Sequence, residues 1–211
     1  MLKALPNILT VLRIILAVAG AWALWQSYFW SVDYNVPLWL GDASVAARTL
    51  AAFSVAAFVI AAASDWLDGY LARRLSAQSA LGALLDPIAD KILVDAYLLV
   101  YVLILNLGSE TGVSPYILVP VLAIILRDVG ITLVRMVSNK PGHEALPVSA
   151  SAKLKTLIAF LVTALPLVAF PLGLGGTDWV LEIWIGALWL TAALSLATGL
   201  GYVRRKPDPQ A

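Results

Sequence analysis

Six runs of apolar residues, each long enough to cross a lipid bilayer, dominate this chain: 8–30, 46–66, 82–107, 115–137, 153–175 and 179–203. A span needs roughly 20 such residues. Backbone in hydrocarbon must also satisfy its own hydrogen bonds, which a helix does without help. The expected fold is therefore all-α, a polytopic six-transmembrane-helix bundle over residues 1–203, followed by a polar cytoplasmic tail at 204–211. Composition agrees, because only 13% of the 211 residues are charged, too few for the polar shell of a soluble domain of this size. Breakers fall between the runs: "NVPLWLGD", "NLGSETGVSP", "SNKPGHEALPVSAS" and "GLGGTD".

The net charge of +1 hides an asymmetry. With the acidic segment between the second and third runs placed in the cytoplasm, that face carries Lys3, Arg73, Arg74, Lys140, Lys153, Lys155, Arg204, Arg205 and Lys206. The opposite loops carry Asp33, Asp42, Glu110, Asp178 and Glu182, with Arg48 the only base nearby. This bias puts both termini on the cytoplasmic side of the cell membrane. Trp25, Trp30, Trp39 and Trp179 sit near the outer ends of spans, as interfacial anchors do. Lys3 and "AVAGAWA" imitate a signal peptide, but Arg13 interrupts the apolar run, and residues 1–23 are read as a retained span. There is no cysteine, hence no disulfide framework and no thiolate metal site. Nothing in the charge pattern calls for nucleic acid.

Against this background the stretch 64–91, "SDWLDGYLARRLSAQSALGALLDPIADK", is anomalous, because it brings Asp65, Asp68, Asp86 and Asp90 to the edge of a hydrocarbon phase. On helices, residues three or four apart share a face, so two helices joined by a short turn can aim all four carboxylates at one point. Like charges at membrane depth are costly unless something neutralises them. The only histidine, His143, lies far away, so the available donors are hard oxygens. These suit Mg²⁺ or Mn²⁺, two ions rather than one, and not zinc. The competing reading is that Arg73, Arg74 and Lys91 pair with the aspartates at the interface. Gly69 and Gly82 weigh against it, because removing side chains beside the carboxylates lets a ligand or metal come close. Ala72 keeps the same surface low, and Arg73 offers a planar fork suited to phosphate.

The spacing D-x2-D-G-x2-A-R-x8-G-x3-D-x3-D is filled by Asp65, Asp68, Gly69, Ala72, Arg73, Gly82, Asp86 and Asp90. It resembles the signature of the CDP-alcohol phosphotransferases, membrane enzymes of phospholipid headgroup attachment. The resemblance implies six spans, a homodimer, two divalent metals, and a CDP-linked lipid whose diphosphate lies over them. It implies that Asp65, Asp68 and Asp86 are metal ligands, and that Asp90 is both a ligand and the general base. It places Asp68, Gly69, Ala72, Arg73 and Gly82 at the nucleotide.

A phosphorylated alcohol acceptor would need its own anion pocket. Arg127 and Arg135 lie inside the fourth run and Lys153 and Lys155 open the fifth. Arginine within a span is a functional hypothesis by default, the alternative being an intramembrane pair of Arg127 or Arg135 with Asp95 or Asp128. In "LPNILTVLRIILA", Asn7, Thr10 and Arg13 recur on one helical face. Asn7 and Thr10 are expected toward the nucleotide and Arg13 toward the acceptor's phosphate. This segment, with "GALLDPIADKILV" and "RDVGITLVR", is most similar to those family members that form phosphatidylglycerophosphate. The expected reaction is thus CDP-diacylglycerol plus glycerol 3-phosphate giving phosphatidylglycerophosphate and CMP. Inositol phosphate is the near alternative, and phosphatidylglycerol (giving cardiolipin) or serine the more distant ones. A divalent-cation transporter would spread polar groups through the bilayer; here the aspartates crowd one end, and the outer halves of the second and third runs read as plain hydrocarbon.

Overall fold

The structure is a computed structural model that describes residues 5–33, 41–75, 80–107, 114–138, 150–170, 172, 174 and 177–204. It describes the backbone alone for 5–6, 32–33, 66, 68–75, 80–84, 86–87, 106–107, 134–138, 150–155 and 200–204. Among the described residues six helices appear in order: α1 (Leu5–Asp33), α2 (Ala43–Leu75), α3 (Ala80–Leu107), α4 (Pro115–Ser138), α5 (Ala150–Ala169) and α6 (Asp178–Arg204). No strand occurs among the described residues.

Local chemistry starts three of these helices. Gly41 adopts φ +77°, open to glycine at no steric cost, and delivers the chain to Asp42. Asp42 Oδ1 then accepts from the Ser44 amide at 2.7 Å, while its carbonyl accepts from Val45 and Ala46. That is an N-cap satisfying donors which the helix itself cannot. Ser114 and Thr177 cap α4 and α6 through their carbonyls, and Pro115 fills the first helical position, where its missing N–H costs nothing.

Two boundaries depart from the hydropathy reading. α2 continues to Leu75 rather than stopping near 66, because a helix needs backbone bonds, not apolarity, and the span's polar edge is not the helix's end. α5 stops at Ala169 rather than running to 175; the sequence that follows, "PLGLGG", is rich in residues that disfavour a helix.

Among the described residues, four helices contain segments long and apolar enough to cross a membrane: Asn7–Ser31, Ala43–Asp65, Pro115–Leu133 and Asp178–Gly199. A fifth apolar stretch, Thr156–Ala169, is shorter. The helices are inverted relative to a soluble protein. α1 exposes Ile8, Val11, Leu12, Ile15, Val18 and Trp22, and it buries Thr10 and Arg13. Exposed oil and buried polarity suit a lipid surround.

The chain divides into two compact units, Met1–Gly112 and Val113–Ala211. In the first, α1 packs along both α2 and α3. Its buried positions Thr10, Arg13, Ala17, Gly20, Ala21, Ala23 and Ser27 fall on one side of the helix, which faces its neighbours. They are mostly small, as close packing in lipid favours. Gly20 marks the tightest approach: a methyl there would run into the Tyr97 hydroxyl and reach within 2.9 Å of Ala57 Cβ. That hydroxyl donates to the Ser54 carbonyl at 2.8 Å, and its ring meets Phe58 edge-on at 5.2 Å. The stretch that read as plain hydrocarbon thus holds an interhelical hydrogen bond.

In the second unit α6 packs against α4 and α5, and two of its tryptophans repair damage done by prolines. A proline inside a helix cannot donate to the carbonyl four residues back. Pro166 lies inside α5, and the Val162 carbonyl that it leaves without that donor receives the Trp184 indole N–H at 2.9 Å. Pro120 lies inside α4, and the Tyr116 carbonyl receives the Trp189 indole at 3.0 Å. In lipid, neighbouring helices are what make such prolines tolerable.

Candidate active site

The acidic motif is laid out on two helices. Asp65, Asp68, Gly69, Ala72 and Arg73 all fall on the continuous α2, and Gly82, Asp86 and Asp90 on the first half of α3. The side chains of Asp68, Ala72, Arg73 and Asp86, and the surroundings of Gly69 and Gly82, lie outside the described residues, as do those of Arg135, Lys153 and Lys155. The connecting residues 76–79, Trp39 and the tail beyond Arg204 lie outside them too.

What is described is the inner end of the site. Arg13 Nη1 donates to Asp65 Oδ1 at 2.8 Å and to Asp90 Oδ1 at 2.6 Å. The Arg13 side chain is 0% exposed, whereas those of Asp65 and Asp90 keep 45% and 32% of their surface open. Three helices therefore meet at one charge: α1 supplies a buried guanidinium, and α2 and α3 each lay a carboxylate over it. A buried arginine is tolerable only when paired, so the two carboxylates account for its presence inside an apolar helix. Thr10, one turn earlier on the same stripe, is buried, and Asn7, one turn earlier again, is half-buried.

The donor set fits a divalent cation. Two carboxylate oxygens from different helices converge on a single cationic nitrogen at hydrogen-bonding distance, and both carboxylates retain an open side. Hard oxygen donors brought to one point are what Mg²⁺ and Mn²⁺ take. No cluster of three or more acidic or histidine ligands occurs among the described residues, to which the side chains of Asp68 and Asp86 do not belong.

The second unit holds its own part-buried ion pair. Arg127 Nη1 donates to Asp128 Oδ1 at 2.6 Å and Nη2 to Thr198 Oγ1 of α6 at 3.1 Å. This is the intramembrane pair weighed above as the alternative to a phosphate anchor. The missing side chain of Gly199 leaves room for it, since a Cβ there would stand 3.3 Å from Arg127 Nε. Sequence reasoning missed the link from Arg127 to Thr198, because nothing local in "SLATGLG" announces a partner on another helix.

Comparison with known proteins covers most of the chain. The model of the CDP-alcohol phosphatidyltransferase family matches residues 3–197. A CDP-diacylglycerol--glycerol-3-phosphate 3-phosphatidyltransferase from Pseudomonas fluorescens is 33% identical over 205 residues, covering 95% of this chain and 88% of that protein. A chloroplastic/mitochondrial enzyme of the same name from Arabidopsis thaliana is 36% identical over 152 residues. That match covers 70% of this chain but only 50% of the plant protein, so the chain spans about half the length of that relative. A cardiolipin synthase (CMP-forming) from Oryza sativa is 31% identical over 177 residues, 81% of this chain and 53% of that protein.

Proposed function

Because the chain belongs to the CDP-alcohol phosphatidyltransferase family, we propose that it moves a phosphatidyl group from CDP-diacylglycerol to glycerol 3-phosphate, forming phosphatidylglycerophosphate and releasing CMP. One observation carries the reading: a protein named for that reaction aligns with 95% of the chain. The converging Asp65 and Asp90 supply chemistry to match.

Asp65, Asp68, Asp86 and Asp90 would hold two Mg²⁺ or Mn²⁺ ions. When bound, such ions neutralise charge developing on the phosphoryl oxygens and make the acceptor hydroxyl more acidic. Asp90, carried by α3 and steadied by Arg13, takes the proton from the acceptor's hydroxyl. That oxygen forms a bond to the phosphorus bearing diacylglycerol, the bond from this phosphorus to the bridging oxygen breaks, and CMP departs with that oxygen. Asp68, Gly69, Ala72, Arg73 and Gly82, with Asn7 and Thr10 of α1, form the nucleotide's bed in this reading. Arg135, Lys153 and Lys155 are its candidates for the acceptor's phosphate. Arg13 and Arg127 were expected there as well, but their guanidiniums already face carboxylates, so any part they play is shared. The same reading has six spans, a homodimer, and the acidic site facing the cytoplasm of a cell membrane.

A second reading, with phosphatidylglycerol as acceptor, draws on the cardiolipin synthase relative. One assay separates them: purified protein in detergent, CDP-diacylglycerol, Mg²⁺, and glycerol 3-phosphate, inositol phosphate, serine or phosphatidylglycerol in turn, with CMP release measured. Glycerol 3-phosphate should support the fastest release, and EDTA should abolish it. CMP release with phosphatidylglycerol alone would replace the first reading by the second.

A further inference from the structure

Arg13 lies beneath the acidic site, on a helix that contributes no carboxylate to it. Its Nη1 is shared between Asp65 of α2 and Asp90 of α3 at 2.8 and 2.6 Å, and its side chain is closed to solvent. A cation that would enter from the open side of these carboxylates meets acids already half-neutralised from below. We propose that Arg13 is a positioning residue with two opposed effects: it fixes Asp65 and Asp90 over one point before any metal arrives, and its charge weakens the site's hold on divalent ions. The inference rests on the two-metal reading above, and it makes α1 part of the metal site without supplying a ligand.

The two effects are physically distinct. Holding two carboxylates from separate helices against one nitrogen removes their freedom to turn apart, and such ordering favours the reacting geometry. A fixed positive charge close behind the same oxygens repels an incoming divalent cation, the more so where little water screens it. Removing the guanidinium should therefore tighten metal binding while slowing turnover. A residue serving only the fold would, on removal, loosen both together.

The test is a Mn²⁺ titration of the full-length protein in detergent without substrate, followed by electron paramagnetic resonance of free Mn²⁺. Arg13→Gln keeps a polar group near the acids but no charge, and it should bind Mn²⁺ about tenfold more tightly than the unmodified protein. Its kcat at saturating Mn²⁺ should fall by at least about tenfold. Arg13→Lys keeps the charge and should hold its Mn²⁺ affinity within about threefold, which leaves a measurable arm where the Gln variant does not fold. Unchanged or weaker binding in Arg13→Gln overturns the inference, as does a tenfold change in Arg13→Lys. If the unmodified protein binds no Mn²⁺ at all, the two-metal reading itself falls, and this inference with it.

Discussion

Trp184 and Pro166 offer a sharp energetic test, because the indole's hydrogen bond serves a carbonyl that the proline has left without its backbone donor. Val162 is 5% exposed and Trp184 4%, so the carbonyl served by the indole at 2.9 Å is shut away from water. Trp184→Phe leaves that carbonyl without its donor, which costs about 1–3 kcal/mol for a buried polar group, at the lower end if lipid-embedded bonds are the guide. The smaller ring adds about 1 kcal/mol of lost packing. Pro166→Ala restores a backbone N–H four residues on from Val162, aimed at the same oxygen. In that background Trp184→Phe should cost only the packing, so a double-mutant cycle should report a coupling of about 1–2 kcal/mol. The measurement is thermal unfolding in detergent followed by far-ultraviolet circular dichroism, since tryptophan fluorescence would change with the substitution itself. The Trp189–Pro120 pair is an internal comparison: Trp189 is 43% exposed and Tyr116 68%, and its coupling should be smaller. If the Trp184 and Pro166 costs simply add within about 0.5 kcal/mol, the indole is not standing in for the missing amide.

Three further outcomes are expected. Gly20→Ala should destabilise the first unit by about 2–4 kcal/mol, from overpacking and loss of the Tyr97–Ser54 bond. Adding Tyr97→Phe should recover part of this in the same unfolding assay, since the ring carbon Cζ stands 3.3 Å from the new methyl. Hydrogen bonds from Ser44 and Val45 hold the Asp42 carboxyl below its ordinary value. A depressed folded pKa gives stabilisation that is full above the unfolded value of about 3.9 and is lost as pH falls through the folded one; the stability gap between Asp42→Ala and the unmodified protein should therefore be present at neutral pH and shrink as pH falls below the ordinary carboxylate range. Asp90→Asn should lower kcat by about 10²–10⁴-fold, as loss of a general base does, while equilibrium binding of CDP-diacylglycerol stays within several-fold; a binding loss as large as that of Asp65→Asn would assign Asp90 to metal holding alone.

Hydropathy located the helices because a bilayer imposes its thickness on the chain, and it erred where thickness was not the governing quantity. At the end of α2 the polar residues after Asp65 mark the edge of the oil, yet the helix runs on for ten residues, since backbone bonds and not apolarity sustain it. At α5 the helix ends at Ala169, before the apolar run does, where the sequence turns to proline and glycine. The convergence of Asp65 and Asp90 was legible because the spacing of the acidic residues is local. Arg13 was singled out for lying on a polar stripe, but its partners were not legible, being 52 and 77 residues away. Arg127 is expected at the acceptor's phosphate with an intramembrane pair as the alternative, and the structure joins it to its neighbour Asp128 in the same motif. The pairings of Trp184 with Val162, of Trp189 with Tyr116 and of Gly20 with Tyr97 have no local signal, although a proline within an apolar helix announces that some neighbour must supply a donor.

α2 runs without a break from Ala43 to Leu75, so its acidic segment is marked off along a single rigid rod. From Asp65 to Ala72 is about 10 Å of axial rise, with no hinge between them. Groups mounted this way cannot be re-aimed one at a time; any tilt that shifts one shifts all. Descendants of such a chain that came to accept a different alcohol would have kept this rod as it is, and their differences should accumulate on the other helices.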